Sequence, residues 1–274
     1  MLRPAGCTVD AAGPQVAWAT MPVQVPPVPV ESTGDLGPQD RSQAWTWLGV
    51  AVLGFLAGEI AAYILGAIGV GIAHTPGGLT ALAKSSAPPV WFVAVELVGL
   101  WIGFGGAAYA VSRHGRHVGF SIRLRDGWYV ALGLGLQLVL SAVYAVFHPK
   151  NFNQPVQHLL GAGSGWLLVI PGIMVVLVAP VFEELYFRGV VLRAFLALTR
   201  TEVPWVGVAI AVVMDGLLFG LAHLGNDGWV QLPGLAFVGM VLALVTVRNG
   251  RLGPAIVTHA SFNMLTVIAY AVSR

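Results

Sequence analysis

Apolar positions in this chain fall in long unbroken runs, separated by short stretches rich in turn residues. Strands with one wet face alternate, and surface helices show a single apolar stripe; neither pattern dominates here. A bilayer core takes roughly 20 mostly apolar residues to cross as a helix. Seven segments meet that length: about 44–73, 88–112, 128–147, 166–199, 203–224, 229–248 and 252–273. Breakers such as His74-Thr75-Pro76-Gly77-Gly78, Ala87-Pro88-Pro89 and Asn226-Asp227-Gly228 mark the connections between them. The expected fold is all-α, a polytopic transmembrane bundle of about seven spans. Residues 1–41, with seven prolines and no apolar run, read as a Pro-rich disordered tail. Residues 42–165 read as a three-span supporting region and residues 166–274 as the region that carries chemistry.

Composition agrees with the pattern. Hydrophobic residues make up 57% of the 274, charged residues only 9%, and mean hydropathy is +0.79. Soluble domains carry about 25% charged residues. The formal net charge of +2 is spread in small arginine clusters between spans, which argues against nucleic acid as a partner and for the lipid bilayer. Arg41, Arg113, Arg116, Arg123, Arg125, Arg193, Arg200, Arg248 and Arg251 all fall to one side of the expected bundle. The positive-inside rule makes that side cytoplasmic, with the N-terminus inside and the protein integral to a plasma (inner) membrane. The stretch from Arg113 to Arg125 is expected to touch anionic headgroups. The lone cysteine, Cys7, excludes an intrachain disulfide framework and reads as an unmodified tail residue.

The fourth segment is too long for its task. Its 34 residues would extend roughly 50 Å as a helix against a core of about 30 Å. Pro171 and Pro180 are the expected points of breakage.

Directly after Pro180 comes Val181-Phe182-Glu183-Glu184-Leu185-Tyr186-Phe187-Arg188-Gly189. Ionisable side chains inside a span cost several kcal/mol unless paired or facing water, so their presence points to function. Glu184 and Arg188, at i and i+4, are placed to pair along one face. Glu183 is turned about 100° away and stays available as the reactive group. The fifth span ends on Phe219-Gly220-Leu221-Ala222-His223, and the seventh holds His259-Ala260-Ser261-Phe262-Asn263. Glu183 and His223 lie roughly 20 residues either side of the turn near 200–204, so antiparallel helices bring them to one depth. His259 and Asn263, again i and i+4, share a face.

These groups suit amide hydrolysis. A poorly solvated carboxylate, Glu183, can take a proton from water while His223 orients it, and His259 with Asn263 can donate to the oxyanion. Glu183, His223 and His259 could equally ligate one zinc ion around a catalytic water. The residue pattern leaves both versions open. Glu59, Glu96 and Asp215 also fall within spans and read as structural; Asp215, eight residues before His223 and about 80° around the helix, need not face the site.

The three motifs together resemble the CAAX-processing and bacteriocin-processing (CPBP, or Abi) membrane endopeptidases, which include CAAX prenyl protease type 2. Glu183-Glu184-x-x-x-Arg188, Phe219-x-x-x-His223 and His259-x-x-x-Asn263 stand in that family's order, across roughly residues 166–268. The resemblance implies an intramembrane endopeptidase acting on a peptide or protein substrate, membrane-anchored ones included. It assigns Glu183 as catalytic base, His223 as its partner and His259 with Asn263 as oxyanion or ligand pair, with Glu184, Arg188 and Phe219 in support. The family has been described both as metal-free glutamic protease and as metalloprotease, so the cofactor is none or one zinc ion. Rival readings are a carboxylate-based proton or cation transporter and a non-proteolytic immunity or scaffold protein.

Overall fold

A computed structural model describes residues 37–85, 87–113, 118–147, 159–160, 168–224 and 229–272. Residues 1–36 of the Pro-rich tail, with Cys7, fall outside the described residues, as do Arg116 and the Asn226-Asp227-Gly228 turn; the tail's last residues are described, and there Asp40 caps α1, which Arg41 begins. Among the described residues every regular element is helical. Seven are long and apolar enough to cross a membrane. They are α1 (Arg41–Ala73), α3 (Val90–Ser112), α4 (Tyr129–Phe147, preceded by the 3₁₀ turn Leu124–Trp128), α5 (Val169–Leu198), α6 (Pro204–Ala222), α7 (Leu232–Asn249) and α8 (Gly253–Val272). These match the seven apolar runs to within a few residues. A short helix, α2 (Gly78–Ala83), occupies part of what the breakers marked as loop.

The outside of the bundle is oily. Ile72 and Val146 are each 75% exposed, with Leu53, Ile60, Tyr63 and Leu138 likewise facing outward. Water would not tolerate so much contiguous apolar surface, but lipid tails do. The protein is an integral membrane protein. With no hydrophobic drive between helices in lipid, close packing has to hold them. Three pairs do most of it: α1 with α3, α6 with α7, and α4 with α8. In the first, a β-carbon at Gly103 would collide with the backbone of Gly54 and Gly58.

The fourth span departs from expectation in an instructive way. It does not break at its prolines. It stays helical over 30 residues, about 45 Å at the α-helical rise, by widening into π-turns at Met174–Val178 and Phe187–Val191. In the first π-turn Ala179 N–H bonds to Met174 O, a five-residue register. Pro180 has no N–H to follow it, so the Val175 carbonyl is left for another donor. The surplus length appears at the arginine-rich end. Arg193 donates to Val118 O at 3.3 Å, and Leu252 N–H bonds to Gly119 O at 3.0 Å. Arg193 is thus level with the α7–α8 turn, and the rest of α5 stands beyond it with the start of α6.

Those bonds also gather the basic residues. Arg41 donates to Leu198 O and Arg251 to Ser121 O, so the start of α1, the stretch after α3, the end of α5 and the α7–α8 turn share one end of the bundle.

The packing generates a test. Gly103→Ala is expected to destabilise the bundle by about 1–3 kcal/mol through overpacking. Gly106→Ala, whose β-carbon meets nothing within 4 Å, is expected to be neutral or slightly stabilising. Denaturation in detergent micelles measures both, and equal behaviour of the two variants contradicts the α1–α3 interface described.

Candidate active site in the C-terminal spans

The site is built around a fully buried arginine. Arg188, in the second π-turn of α5, donates through Nη1 to Glu184 Oε1 at 3.0 Å and through Nη2 to the α7 carbonyl of Gly239 at 2.8 Å. Its Nε stands 3.3 Å from Asp215 Oδ2 on α6, and its guanidinium lies 4.5 Å above the Phe219 ring. Glu184, Arg188 and Asp215 are all 0% exposed. One cation therefore pairs with carboxylates on two helices and hydrogen-bonds a third. Taking a cation and its carboxylate partners out of solvent is tolerable only with such mutual pairing.

Glu184 is the next link. The same Oε1 that receives Arg188 also accepts from His259 Nδ1 at 2.9 Å. A carboxylate can only accept, so Nδ1 carries the ring proton and Nε2 points away from Glu184. His223, at the C-terminal end of α6, is oriented in the same manner: its Nδ1 lies 2.7 Å from Phe219 O, another pure acceptor. With both Nδ1 atoms committed, the two rings turn Nε2 toward one atom. Glu183 Oε2 is 3.8 Å from His223 Nε2 and 3.7 Å from His259 Nε2. Glu183 is 15% exposed and His223 33% exposed at the side chain, whereas Glu184 is sealed off. Adjacent glutamates thus face opposite nitrogens of one imidazole: Glu184, in the interior, is hydrogen-bonded to Nδ1, and Glu183, partly exposed, stands 3.7 Å from Nε2.

The remaining motif residue closes the α5 irregularity. Asn263 Nδ2 donates to Val175 O at 2.9 Å, the carbonyl that Pro180 cannot serve. A π-turn, a proline and an amide on α8 form one unit. The amide nitrogen keeps a second N–H for another acceptor. Phe219, buried, packs edge-on to His259 with ring centroids 5.6 Å apart.

The structure brings together Glu183, Glu184, Arg188, Phe219, His223 and His259, and sets Asn263 on the neighbouring turn of α8. Asp215, read from the sequence as structural, is joined to this cluster through Arg188. The signal was present, since Asp215 and Phe219 stand at i and i+4 and share a face with Arg188 between them. The carbonyls of Gly239 and Val175 left no trace in the residue pattern. Glu59 and Glu96, on α1 and α3, take no part in these contacts.

Two imidazole nitrogens and a carboxylate oxygen are donors that zinc accepts. Tetrahedral zinc with bonds near 2.0–2.1 Å sets its ligand atoms roughly 3.3 Å apart, closer than the 3.7 and 3.8 Å separations here. Among the described residues no group of three His, Cys, Asp or Glu side chains is disposed to hold a metal ion as it stands. The donor chemistry fits and the spacing does not.

Two substitutions follow from this geometry. Arg188→Met strands two buried carboxylates and is expected to cost about 3–5 kcal/mol. Asn263→Ala strips the Val175 carbonyl of its donor, at about 1–3 kcal/mol. Stability measured in micelles reads both, and an Arg188→Met protein as stable as the parent contradicts the central role given to the cation.

Among the comparisons with known proteins, a family model matches this stretch. Residues 165–265 match the family model described as Rce1-like, Type II CAAX prenyl endopeptidase Rce1-like. A curated relative, the uncharacterized protein YyaK of Bacillus subtilis (strain 168), is 28% identical over 135 residues, covering 47% of this chain. The matched stretch spans 42% of that relative's length. No solved structure matches the chain. The region that folds around Arg188 and presents Glu183 to two histidines is thus the stretch, residues 165–265, that is similar to the Rce1-like, type II CAAX prenyl endopeptidase family.

Proposed function

We propose that this protein is an intramembrane endopeptidase in which Glu183 activates water against a peptide bond. The observation that carries the reading is the convergence of His223 Nε2 and His259 Nε2 on Glu183 Oε2 at 3.8 and 3.7 Å, with each Nδ1 tied to an acceptor. Fixed tautomers at both rings are what a water-orienting site requires.

The chemistry then runs on this chain's own groups. Water held among the three atoms gives a proton to Glu183 as its oxygen attacks the peptide carbonyl carbon. The resulting oxyanion takes a hydrogen bond from the second Asn263 N–H, and from His259 Nε2 where that ring enters the cycle as the imidazolium with a proton on both nitrogens. Glu183 returns the proton to the amide nitrogen as the C–N bond breaks, releasing an amine and a carboxylic acid. No step passes through a metal. The substrate class that fits is a membrane-associated peptide, of the CAAX type named by the family description, whose apolar parts rest against aromatic walls such as Phe182 and Trp101, stacked with centroids 5.5 Å apart. The positive-inside rule supports a cytoplasmic arginine-rich end with the N-terminus inside, and the proposed location is a plasma (inner) membrane. A proton or cation relay draws less support, because Glu184 and Asp215 are both bound to Arg188.

The test is cleavage of a membrane-anchored peptide library by purified protein in micelles. Glu183→Gln and His223→Ala are expected to lose at least about a hundredfold in rate, the scale of general-base catalysis. Both variants should remain folded, because neither residue touches Arg188. Parent-like cleavage by Glu183→Gln sinks the mechanism. Activity abolished by a chelator and restored by zinc would replace the water-activating carboxylate with a metal centre.

A further inference from the structure

A second buried ion pair lies well away from Glu183, at the arginine-rich end of the bundle. Asp126, in the 3₁₀ turn that starts α4, is 0% exposed. Its Oδ1 and Oδ2 accept Arg251 Nη2 and Nη1 at 2.5 and 2.6 Å, a two-pronged pairing. The same carboxylate accepts the Arg123 backbone N–H at 2.8 Å and so caps the turn. Arg251 also donates to Ser121 O at 3.2 Å, and the Asn249 amide donates to Tyr129 OH at 2.9 Å. Around the pair, Asp126 holds the guanidinium of Arg251 above its ordinary range through this hydrogen bond, so the cation is permanent. Bidentate pairs fix direction as well as distance. One carboxylate therefore locks the first turn of α4 to the residues that begin α8.

What α8 carries is His259, eight residues beyond Arg251, about 12 Å along the helix. Between the two, α4 touches α8 backbone to backbone. A β-carbon at Gly133 would collide with Thr258 O and lie 2.8 Å from Ser261 Cβ and 3.0 Å from Phe262 N. Thr258 is the residue before His259. At Gly135, one turn face away, a β-carbon meets nothing within 4 Å. So α8 is clamped to α4 at its start and seated against it at the level of the histidine.

We propose that Asp126, through Arg251 and the Gly133 contact, is a positioning residue that sets the depth and rotation of His259 relative to Glu183 and Glu184. Asp126 and Gly133 lie outside the stretch that matches the family, residues 165–265, so α4 is part of the catalytic apparatus of this chain and not only its support. The physical basis is tolerance. His259 reaches Glu184 at 2.9 Å and Glu183 at 3.7 Å from opposite sides of one ring. A slip of α8 by an ångström cannot preserve both, and misplacement on that scale costs about a hundredfold in well-oriented reactions.

The inference rests on the proteolytic reading for its kinetic arm and not for its spectroscopic one. Full-length protein in micelles is compared as parent, Asp126→Asn, Arg251→Lys, Gly133→Ala and Gly135→Ala. The expected result is a fall in kcat of at least about tenfold for Asp126→Asn and Gly133→Ala with KM within about twofold. Arg251→Lys, which keeps the charge and loses the fork, should fall between them and the parent, and Gly135→Ala should match the parent. In ¹⁵N-histidine spectra, the Nδ1–H resonance of His259 should shift or broaden in Asp126→Asn and Gly133→Ala, with that of His223 unmoved. If Asp126→Asn does not fold, Gly133→Ala carries the test alone. Parent-like kcat in the folded variants, or lost stability with an unmoved His259 resonance, overturns the proposal. A parent protein that cleaves no peptide defeats the proteolytic reading, and the resonance shift still decides the positioning role.

Discussion

Arg188 is enclosed by protein on every side, and the helices around it are arranged as its charge demands. A guanidinium with no access to water needs partners from the protein: Glu184 on α5 and the Gly239 carbonyl on α7 accept its hydrogen bonds, and Asp215 on α6 stands beside it as an ion pair. Three spans are thereby held at fixed rotation about their axes. In lipid, where apolar faces do not drive one another together, such pairing gives a bundle a specific register. The reactive edge inherits its order from this pairing: Glu184 is pinned by Arg188, His259 is pinned by Glu184, and Glu183 is left as the accessible carboxylate facing His259 from the other side.

The irregularities of α5 serve the same end. A regular helix through Pro180 would leave the proline ring against a carbonyl and another carbonyl without a donor. Widening at Met174–Val178 relieves the first, and Asn263 supplies the second. The π-turn at Phe187–Val191 contains Arg188 itself, where an extra residue per turn alters the direction in which the side chain leaves the helix. Tyr186 OH, bonded to Ala51 O at 2.9 Å, ties this stretch to α1. Helical irregularity at depth in a membrane needs replacement partners nearby, and each one here is supplied by a neighbouring span.

Several contacts were open to sequence reasoning because they are local. Glu184 with Arg188 and His259 with Asn263 are separated by four residues, and helical geometry alone places such pairs on one face. The approach of Glu183 to His223 was readable from counting along a hairpin. The structural reading of Asp215 agrees with its place beside Arg188, but the partner was not readable, because angular position on an isolated helix says nothing about which neighbour supplies the countercharge. The pairing of Asp126 with Arg251 spans 125 residues and joins two loops, and no periodicity encodes it.

Hydropathy by itself determined that the chain enters a membrane, where its spans begin and end, and that Glu183, Glu184 and Arg188 are too costly there to be incidental, since lipid offers no water to absorb a mistake. Tertiary structure decided the rest. It selected which nitrogen of each histidine faces Glu183, turned expected proline breaks into π-turns, and gave Asn263 a carbonyl to satisfy. Those outcomes depend on where a partner helix presents a carbonyl or a carboxylate to within a few tenths of an ångström, and that position is a property of the packed bundle, not of any one segment.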